Sequence, residues 1–501
     1  MLIEMHAHSS RYSPCSHIDP VPLVRGVVRK GLQGIIITEH HYLWGADEIK
    51  ELRKASGVED HFLILAAQEV ETDFGHVIVY GAQDTITQRM SLGNLRAAFP
   101  DSALIWAHPL RNGKVPSLKK LMDQRLDAIE IFSSNHTLIE NYLGLKLWHQ
   151  HRFTAVSGSD SHAEDTAGIF PTLFDHPVSS ITEVASEIRH GRCRPFYKEI
   201  PKAGGNMLVQ EITLGTKGQD ESRSRIILKR PKRAEKWVSL RDASRIASEV
   251  HDHGFSEGTF RVPRTFEINE EERLVIEEGQ RGKSLFDVLV QVSEAAGKSY
   301  FELAARWLGR LHAQRISFSS VNLTKAREKQ RFASYEKAFE RSRSPYLNQI
   351  HHLIATVKSF EEGLFATSSD DFVLLHGDYH PKNIIIGQDK MHDISTLFIS
   401  VIDFGNAMLF SPAFDVGYFL EQFQNQLRFY PRLIKVYRAE EFTALYLDEA
   451  HVPDRDEFLG RVNMFRIRAG LSISAFLIRV GKGESEDMSE LMKRLYALLE
   501  E

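Results

Sequence analysis

Two sets of polar residues in this chain have the types and spacing that reaction chemistry needs. In the C-terminal half, LLHGDYHPKNIII places Asp378 five residues before Asn383, just ahead of an apolar run, and SVIDFGNA follows with Asp403 before Phe404 and Gly405. A carboxylate that takes a hydroxyl proton, with an amide oxygen and a second carboxylate holding magnesium on a nucleotide's phosphates, is the set phosphoryl transfer requires. The second set lies in the first 162 residues. His6 and His8 stand in MLIEMHAHSS, Glu39, His40 and His41 close GIIITEHH, Glu69 sits in ILAAQEVET, and His76 opens HVIVYG. His108 ends ALIWAHP, AIEIFSSN carries Glu130 and Asn135, and AVSGSDSHA supplies Asp160 and His162. A lone histidine is ordinarily a surface or core residue. Six or more His, Asp and Glu residues at successive strand ends instead suit a multinuclear zinc, manganese or iron site.

These residues need elements to hold them. In the N-terminal half, apolar strands alternate with amphipathic helices, which predicts βα units around a mostly parallel sheet or barrel. His6 and His8 are two apart, so both point to one face of an extended segment. After Pro195 this pattern stops, and YKEIPKAGGN reads as a linker. MLVQEITLG and SRIILKR then alternate like antiparallel strands joined by TKGQDES, and RLVIEEGQRGKSLFDVL reads as a buried strand that turns into a helix. The remainder is helical. ELAARWLGRLHAQ carries Leu303, Trp307, Leu311 and His312 in one stripe, residues 320–370 read as charged and aromatic helices, and MFRIRAGLSISAFLIRVGKG reads as an apolar terminal helix. Around Asp378 and Asp403, the runs VLL, NIII and LFISVI read as short buried strands ending in polar loops.

At 501 residues the chain is too long for one ordinary core, so two or three domains are expected. Hydrophobic content of 42% and charged content of 26% are those of a soluble globular protein. A net charge of -5 argues against a general nucleic-acid binder. The two cysteines, Cys15 and Cys193, give no disulfide framework and fit a reducing cytoplasm. The N-terminus reaches polar sequence by His6, which does not read as a secretory signal. No apolar run approaches the ~20 residues that span a bilayer.

The order HGDxxxxN, strand, DFG resembles the catalytic core of the aminoglycoside phosphotransferase and choline kinase family, kin of the protein kinases. The resemblance implies a bilobal, kinase-like α+β domain over 199–501, with a small lobe at about 199–279 and a large lobe at about 280–501, binding ATP and Mg2+. It implies that Asp378 is the base, that Asn383 and Asp403 are metal ligands, and that Lys229 in IILK neutralises the α and β phosphates. Backbone groups near Glu277 to Gly279 would meet the adenine edge. Asp242 falls where the family's helical glutamate pairs with the lysine, with Glu249 as the substitute. Gly204, Gly205 and Asn206 are the candidates for a loop over the phosphates. His376 reads as a structural partner of the catalytic loop, and Asp415 as a support that anchors it by hydrogen bonds.

The order HxH, TEHH, QEVE, AHP, GSDSH is similar to the polymerase and histidinol-phosphatase (PHP) superfamily of metal-dependent phosphoesterases, over about residues 1–198. That implies a distorted (β/α)7 barrel with ligands at the C-terminal ends of its strands. His6, His8, His40, Glu69, His108, Asp160 and His162 match ligand positions, with His76 a further match, holding two or three Zn2+, Mn2+ or Fe2+ ions. Glu39 stands where the family usually has aspartate. Pro14 occupies the place of one family ligand and cannot serve, which leaves Cys15 or His17 as substitutes and two metals as plausible as three. Arg111 is placed to grip a substrate phosphate.

The chain is therefore expected to be an α/β protein of two domains. One would phosphorylate a small-molecule alcohol and the other would hydrolyse a phosphoester. The alternative is a kinase regulated by a metal-binding, non-catalytic barrel.

Overall fold

The computed structural model describes residues 1–58, 60–202, 207–216, 223–314, 316, 321–390 and 393–500. The GGN stretch at 204–206 lies outside them. By packing, the chain divides into two compact units: Met1–Ala203 with Val209–Leu228, and Gly204–Leu208 with Lys229–Glu501. The compact units therefore do not part at residue 198 alone. The antiparallel pair Tyr197–Lys202 and Met207–Leu214 follows the barrel directly, and Gly215 and Thr216 are bonded back to Phe196 and Ile169.

The first unit is an α/β barrel of nine strands: β1 (Leu2–Glu4), β2 (Gly34–His40), β3 (Leu63–Thr72), β4 (Gly75–Tyr80), β5 (Ala103–Trp106), β6 (Ala128–Phe132), β7 (Ala155–Ser157), β8 (Thr172–Phe174) and β9 (Cys193–Pro195). Their order in the sheet is β7-β6-β5-β4-β3-β2-β1-β8-β9. β1, β2 and β3 run parallel, as do β5, β6 and β7. β4 is antiparallel to both neighbours, and β8 to β1 and β9, so the sheet departs from a uniform repeat of seven βα units. The cause at β4 is local. Only Asp73 and Phe74 separate it from β3, Thr72 Oγ1 accepts from the Phe74 N–H, and so short a loop can only return the chain antiparallel. Side-chain bonds tie the edge strand β7 to β8. The Ser157 N–H donates to Thr172 Oγ1 at 2.9 Å, and the Thr172 hydroxyl donates to the Ser157 carbonyl at 2.7 Å.

The β2 sequence GIIITEH is buried along almost its whole length, as expected for a strand covered on both faces. Its period of two sorts the isoleucines. Ile36 joins Ile3, Ile78 and Ile105 in a cluster closed by Val184 and Ile188 of the helix Ile181–Arg189. Ile35 and Ile37 face the other way, against Leu23, Val24 and Val27 of the helix Pro20–Arg29.

In the second unit, Leu274–Glu278 pairs antiparallel with Thr265–Asn269. A four-stranded sheet runs in the order Phe260–Arg261, Leu397–Val401, Ile384–Gln388, Lys283–Ser284, and Val373–Leu375 pairs with Met408–Phe410. Helices make up most of the rest, around a core that includes Phe301, Trp307, Tyr379, Phe404 and Phe414. The segment read as an apolar terminal helix is Arg455–Arg479, and a further helix, Glu486–Glu500, follows it. Arg468 in the helix Arg455–Arg479 is buried, its guanidinium reaching Glu328 Oε2 at 2.6 Å and the Tyr335 hydroxyl at 3.1 Å. Among the described residues no helix is long and apolar enough to cross a membrane.

Candidate functional site

Strand direction brings the first set of polar residues to one rim of the barrel. His6 and His8 follow β1, His40 ends β2, Glu69 lies late in β3, His108 follows β5, Glu130 lies in β6, and Asp160 and His162 follow β7. His76 stands at the start of β4, which reaches the same rim because β4 runs the opposite way. Gly158 is required here, since a Cβ would fall 2.4 Å from the His6 Cβ and 2.5 Å from Glu130 Oε1. His108 and Asp160 hold positive φ, 32° and 48°, an uncommon backbone region for residues other than glycine.

All eight residues expected as ligands converge. His6 Nε2 and His8 Nε2 are 3.0 Å apart. Glu69 Oε2 lies 3.5, 3.2 and 3.1 Å from ring nitrogens of His6, His8 and His40. Glu69 Oε1 lies 2.9 Å from His76 Nδ1 and 3.2 Å from His108 Nε2. Asp160 Oδ1 lies 3.4, 3.3 and 3.6 Å from His6, His8 and His162. Three groups have donor atoms close enough to share a cation: His8, His40 and His162; His6, His8 and Asp160; and His40, Glu69 and His76. Cys15 and His17 are in none of these groups and are exposed. His41 turns its Nδ1 to the Ile86 carbonyl. Arg111 reaches Asp160 Oδ2 at 3.8 Å.

A second layer fixes which ring nitrogen faces the centre. His6 Nδ1 donates to Glu130 Oε1 at 3.0 Å, which leaves Nε2 as the lone pair, and Glu130 Oε2 also accepts from the His108 N–H. His8 Nδ1 donates to Ser13 Oγ at 3.3 Å, and the Ser13 hydroxyl donates to Glu39 Oε2 at 2.5 Å. Glu39 is therefore a support, saturated by Ser9, Ser13 and Trp44. His162 Nδ1 donates to the Asp160 carbonyl, and Asn135 donates to Asp160 Oδ2. The sequence pointed to Glu130 and Asn135 at strand ends without a role, and Ser13 was missed.

Burial and charge oppose one another across the rim. Burial works against a charge on His6, but Glu130, Asp160 and Glu69 hold its pKa well above the usual value. Burial likewise disfavours charge on Glu69 and Asp160, yet the histidines, His6 foremost, keep both carboxyls well below the ordinary range. Burial pushes His40 down to about 4, against the pull of Glu69. Glu69 Oε2 is buried without a hydrogen bond although three ring nitrogens surround it. A buried carboxylate oxygen with three ring nitrogens within 3.5 Å and no hydrogen bond to any of them fits a cation between them.

In the second unit, His376-Gly377-Asp378 follows the strand Val373–Leu375. Asp415 clamps this turn, its Oδ2 accepting from the His376 N–H at 2.7 Å and its Oδ1 from the Gly377 N–H at 2.9 Å. Gly377 has φ 74°, and a Cβ there would meet the Asn406 carbonyl oxygen at 2.1 Å. His376 Nε2 donates to the Ile402 carbonyl, tying the turn to the strand that leads to Asp403. Asn383 spends its amide N–H on the Asp378 carbonyl at 3.0 Å, which frees its Oδ1 as a ligand oxygen. Asp403 is exposed, with φ 69°, and its Oδ1 accepts from the Gly405 N–H.

Lys229 pairs with Glu277 Oε1 at 2.5 Å. Burial disfavours its charge, but Glu277 and then Asp403 hold its pKa above the usual lysine value. The expected partner does not serve: Asp242 is held by its neighbour Arg241, and Glu249 lies 3.4 Å from His253. Glu277 succeeds because it ends a strand, where its carboxylate reaches Lys229, whereas Asp242 faces Arg241 and Glu249 faces the His253 ring. Gly279 lies just past that strand end.

Residues 216–447 match the family model of the phosphotransferase enzyme family. No match was found among curated proteins. Similar solved structures include an ethanolamine kinase of Plasmodium vivax, 15% identical, with a TM-score of 0.39, 60% of this chain covered and 82% of the other. A glucosamine kinase is 12% identical, with a TM-score of 0.37 and coverage of 61% and 92%. A presumed metal-dependent phosphoesterase from Bifidobacterium adolescentis is 16% identical, with a TM-score of 0.26 and coverage of 32% and 88%.

Proposed function

We propose that this chain is a bifunctional enzyme. Its C-terminal domain transfers the γ-phosphoryl group of ATP to a hydroxyl of a small molecule, and its N-terminal PHP-type barrel hydrolyses a phosphoester. The observation that carries the first activity is the joint placement of Asp378, Asn383 and Asp403 by the Asp415 clamp and the His376–Ile402 bond. Asp378 accepts the acceptor's proton as its oxygen bonds to the γ-phosphorus and the bond to ADP breaks. Lys229 neutralises phosphate charge, and backbone near Glu277 and Gly279 meets the adenine. Magnesium held by Asn383 and Asp403 would supply charge neutralisation on the phosphates.

In the barrel, His6, His8, His40, Glu69, His76, His108, Asp160 and His162 would hold two or three transition-metal ions, whose chemistry is to polarise the phosphoester and acidify a water. Glu130 and Ser13 keep the His6 and His8 lone pairs inward, and Arg111 orients the phosphate. The buried Glu69 Oε2, facing three ring nitrogens without a hydrogen bond, supports this reading.

The test uses the full chain. γ-labelled ATP is offered with a library of metabolite alcohols, and a chromogenic phosphoester is offered separately. Asp378→Asn should lose most transfer, on the order of a hundredfold or more, while keeping nucleotide binding. Asp160→Ala should lose phosphoester hydrolysis while ATP turnover persists. Unchanged transfer in Asp378→Asn would remove the base role, and unchanged hydrolysis in Asp160→Ala would remove the barrel's.

A further inference from the structure

Asp415 is not the only residue of its helix that reaches the catalytic turn. The helix Ala413–Gln426 carries Asp415 and Tyr418, and residues three apart share a helical face. The Tyr418 hydroxyl donates to Asp378 Oδ1 at 2.7 Å. One turn further on, Gln422 Nε2 donates to the Tyr418 oxygen at 3.3 Å, which commits the phenolic proton to the aspartate. The ring is fixed as well, stacked on Phe414 with an interplanar angle of 8°.

His380 acts on the same oxygen. Its Nδ1 accepts from the Lys382 N–H at 3.2 Å, which places the imidazole proton on Nε2, and Nε2 lies 3.7 Å from Asp378 Oδ1. Both side chains therefore address Oδ1. Among the described residues, Asp378 Oδ2 has no such neighbour in hydrogen-bond or ion-pair range.

We propose that Tyr418 is a positioning residue that occupies Asp378 Oδ1 and thereby presents Oδ2 as the atom that receives the acceptor's proton. This rests on the reading of Asp378 as the base. A carboxylate free to rotate about its Cβ–Cγ bond offers either oxygen, whereas one with Oδ1 pinned on a rigid helix offers a single oxygen in one direction. In the transfer step, the acceptor O–H proton goes to Oδ2, the acceptor oxygen bonds to phosphorus, and ADP leaves with its bonding pair. Tyr418 keeps its own proton throughout. Gln422 holds Tyr418 in turn, so the chain Gln422, Tyr418, Asp378 is the device.

The test uses the full-length protein with magnesium-ATP and water as the acceptor, followed by phosphate release. Tyr418→Phe keeps the ring and its stack on Phe414 and removes only the hydroxyl. Its kcat should fall about ten- to a hundredfold, because small misplacements of reacting groups cost that much. The KM for ATP should hold, since Tyr418 contacts neither Lys229 nor Asp403, while the lost hydroxyl bond to Asp378 should lower the thermal midpoint by a few degrees at most. Gln422→Leu should show a smaller kcat loss with the same unchanged KM. Asp378→Asn is the control. If it abolishes turnover while Tyr418→Phe keeps more than half of the parent kcat, the positioning role is overturned and the base survives. If Asp378→Asn leaves turnover intact, both fall. A kcat loss in Tyr418→Phe that comes with a raised KM for ATP would also overturn the proposal, by marking Tyr418 as part of the framework of the nucleotide site.

Discussion

Replacing Asp415 by asparagine removes a charge and one acceptor while keeping the shape of the side chain. The carboxylate is fully buried and takes the His376 N–H at 2.7 Å and the Gly377 N–H at 2.9 Å, with His312 Nε2 at 3.3 Å from Oδ2. An asparagine there can accept one of the two backbone donors, and its amide N–H2 must then face the other. One charge-assisted bond of about 1.5–3 kcal/mol is lost and one buried N–H is left unpaired, so the cost should be about 2–4 kcal/mol. In a unit of this size about 1 kcal/mol moves the midpoint by about 2–4 °C, so the second unit should melt roughly 4–16 °C lower. Asp415→Ala leaves both donors unpaired and should cost more. Calorimetry of the full chain reads this as a shift of the second unit's transition, with the barrel's left in place. ATP turnover should fall as well, because the clamp sets the backbone that carries Asp378. A midpoint for Asp415→Asn within about 1 °C of the parent, where a lost buried bond should move it several degrees, would refute the clamp.

Two further outcomes follow from buried charge. Burial, and then the neighbouring Glu328, push the Glu361 carboxyl up to about 8, against the pull of Arg468. Between about 4.5 and about 8 the folded chain keeps a proton that the unfolded chain has released, so this group makes stability fall as pH rises through that window. Glu361→Gln should flatten that slope, and urea midpoints of parent and variant should diverge between about pH 4.5 and about pH 8; parallel curves would sink the idea. In the barrel, freshly purified protein should carry at least two transition-metal ions per chain, and the double change His6→Ala, His8→Ala should lower that number by elemental analysis. One ion or none in the intact chain would contradict a binuclear site.

The inner layer of both sites was legible because its residue types are rare in combination. HxH after one strand, TEHH, QEVE, AHP and SDSH at the ends of others, and the histidine that opens HVIVYG named eight residues that the fold brings to one rim. HGDxxxxN and DFG did the same for Asp378, Asn383 and Asp403. The barrel's reversal at β4 was less visible, since ILAAQEVET and HVIVYG were read as successive strands of a mostly parallel sheet, without the hairpin that the short gap between them imposes. The partner of Lys229 was misplaced for a related reason. The family resemblance favoured Asp242, but which carboxylate meets a strand-end lysine depends on which strand end lies beside it, and Glu277 is 48 residues away in sequence.

The outer layer was harder to read, and burial explains why. Glu130 meets His6 across 124 residues, and Tyr418 meets Asp378 across 40, so no local spacing announces either contact. A signal nevertheless existed in the helix AFDVGYFLEQFQNQ. Its apolar residues fill the core, and Asp415 and Glu421 lie among them with no exposure. A buried carboxylate without partners is costly, so each such residue in an apolar helix implies a donor elsewhere in the chain. Asp415 finds two backbone N–H groups, Glu421 finds Arg494 at 2.6 Å, and Tyr418 between them finds Asp378. Arg468, buried in another apolar helix, follows the same logic with Glu328. Polar residues that interrupt a core face are thus the sequence's mark of the layer that orients the reacting groups, although the sequence does not say which groups they reach.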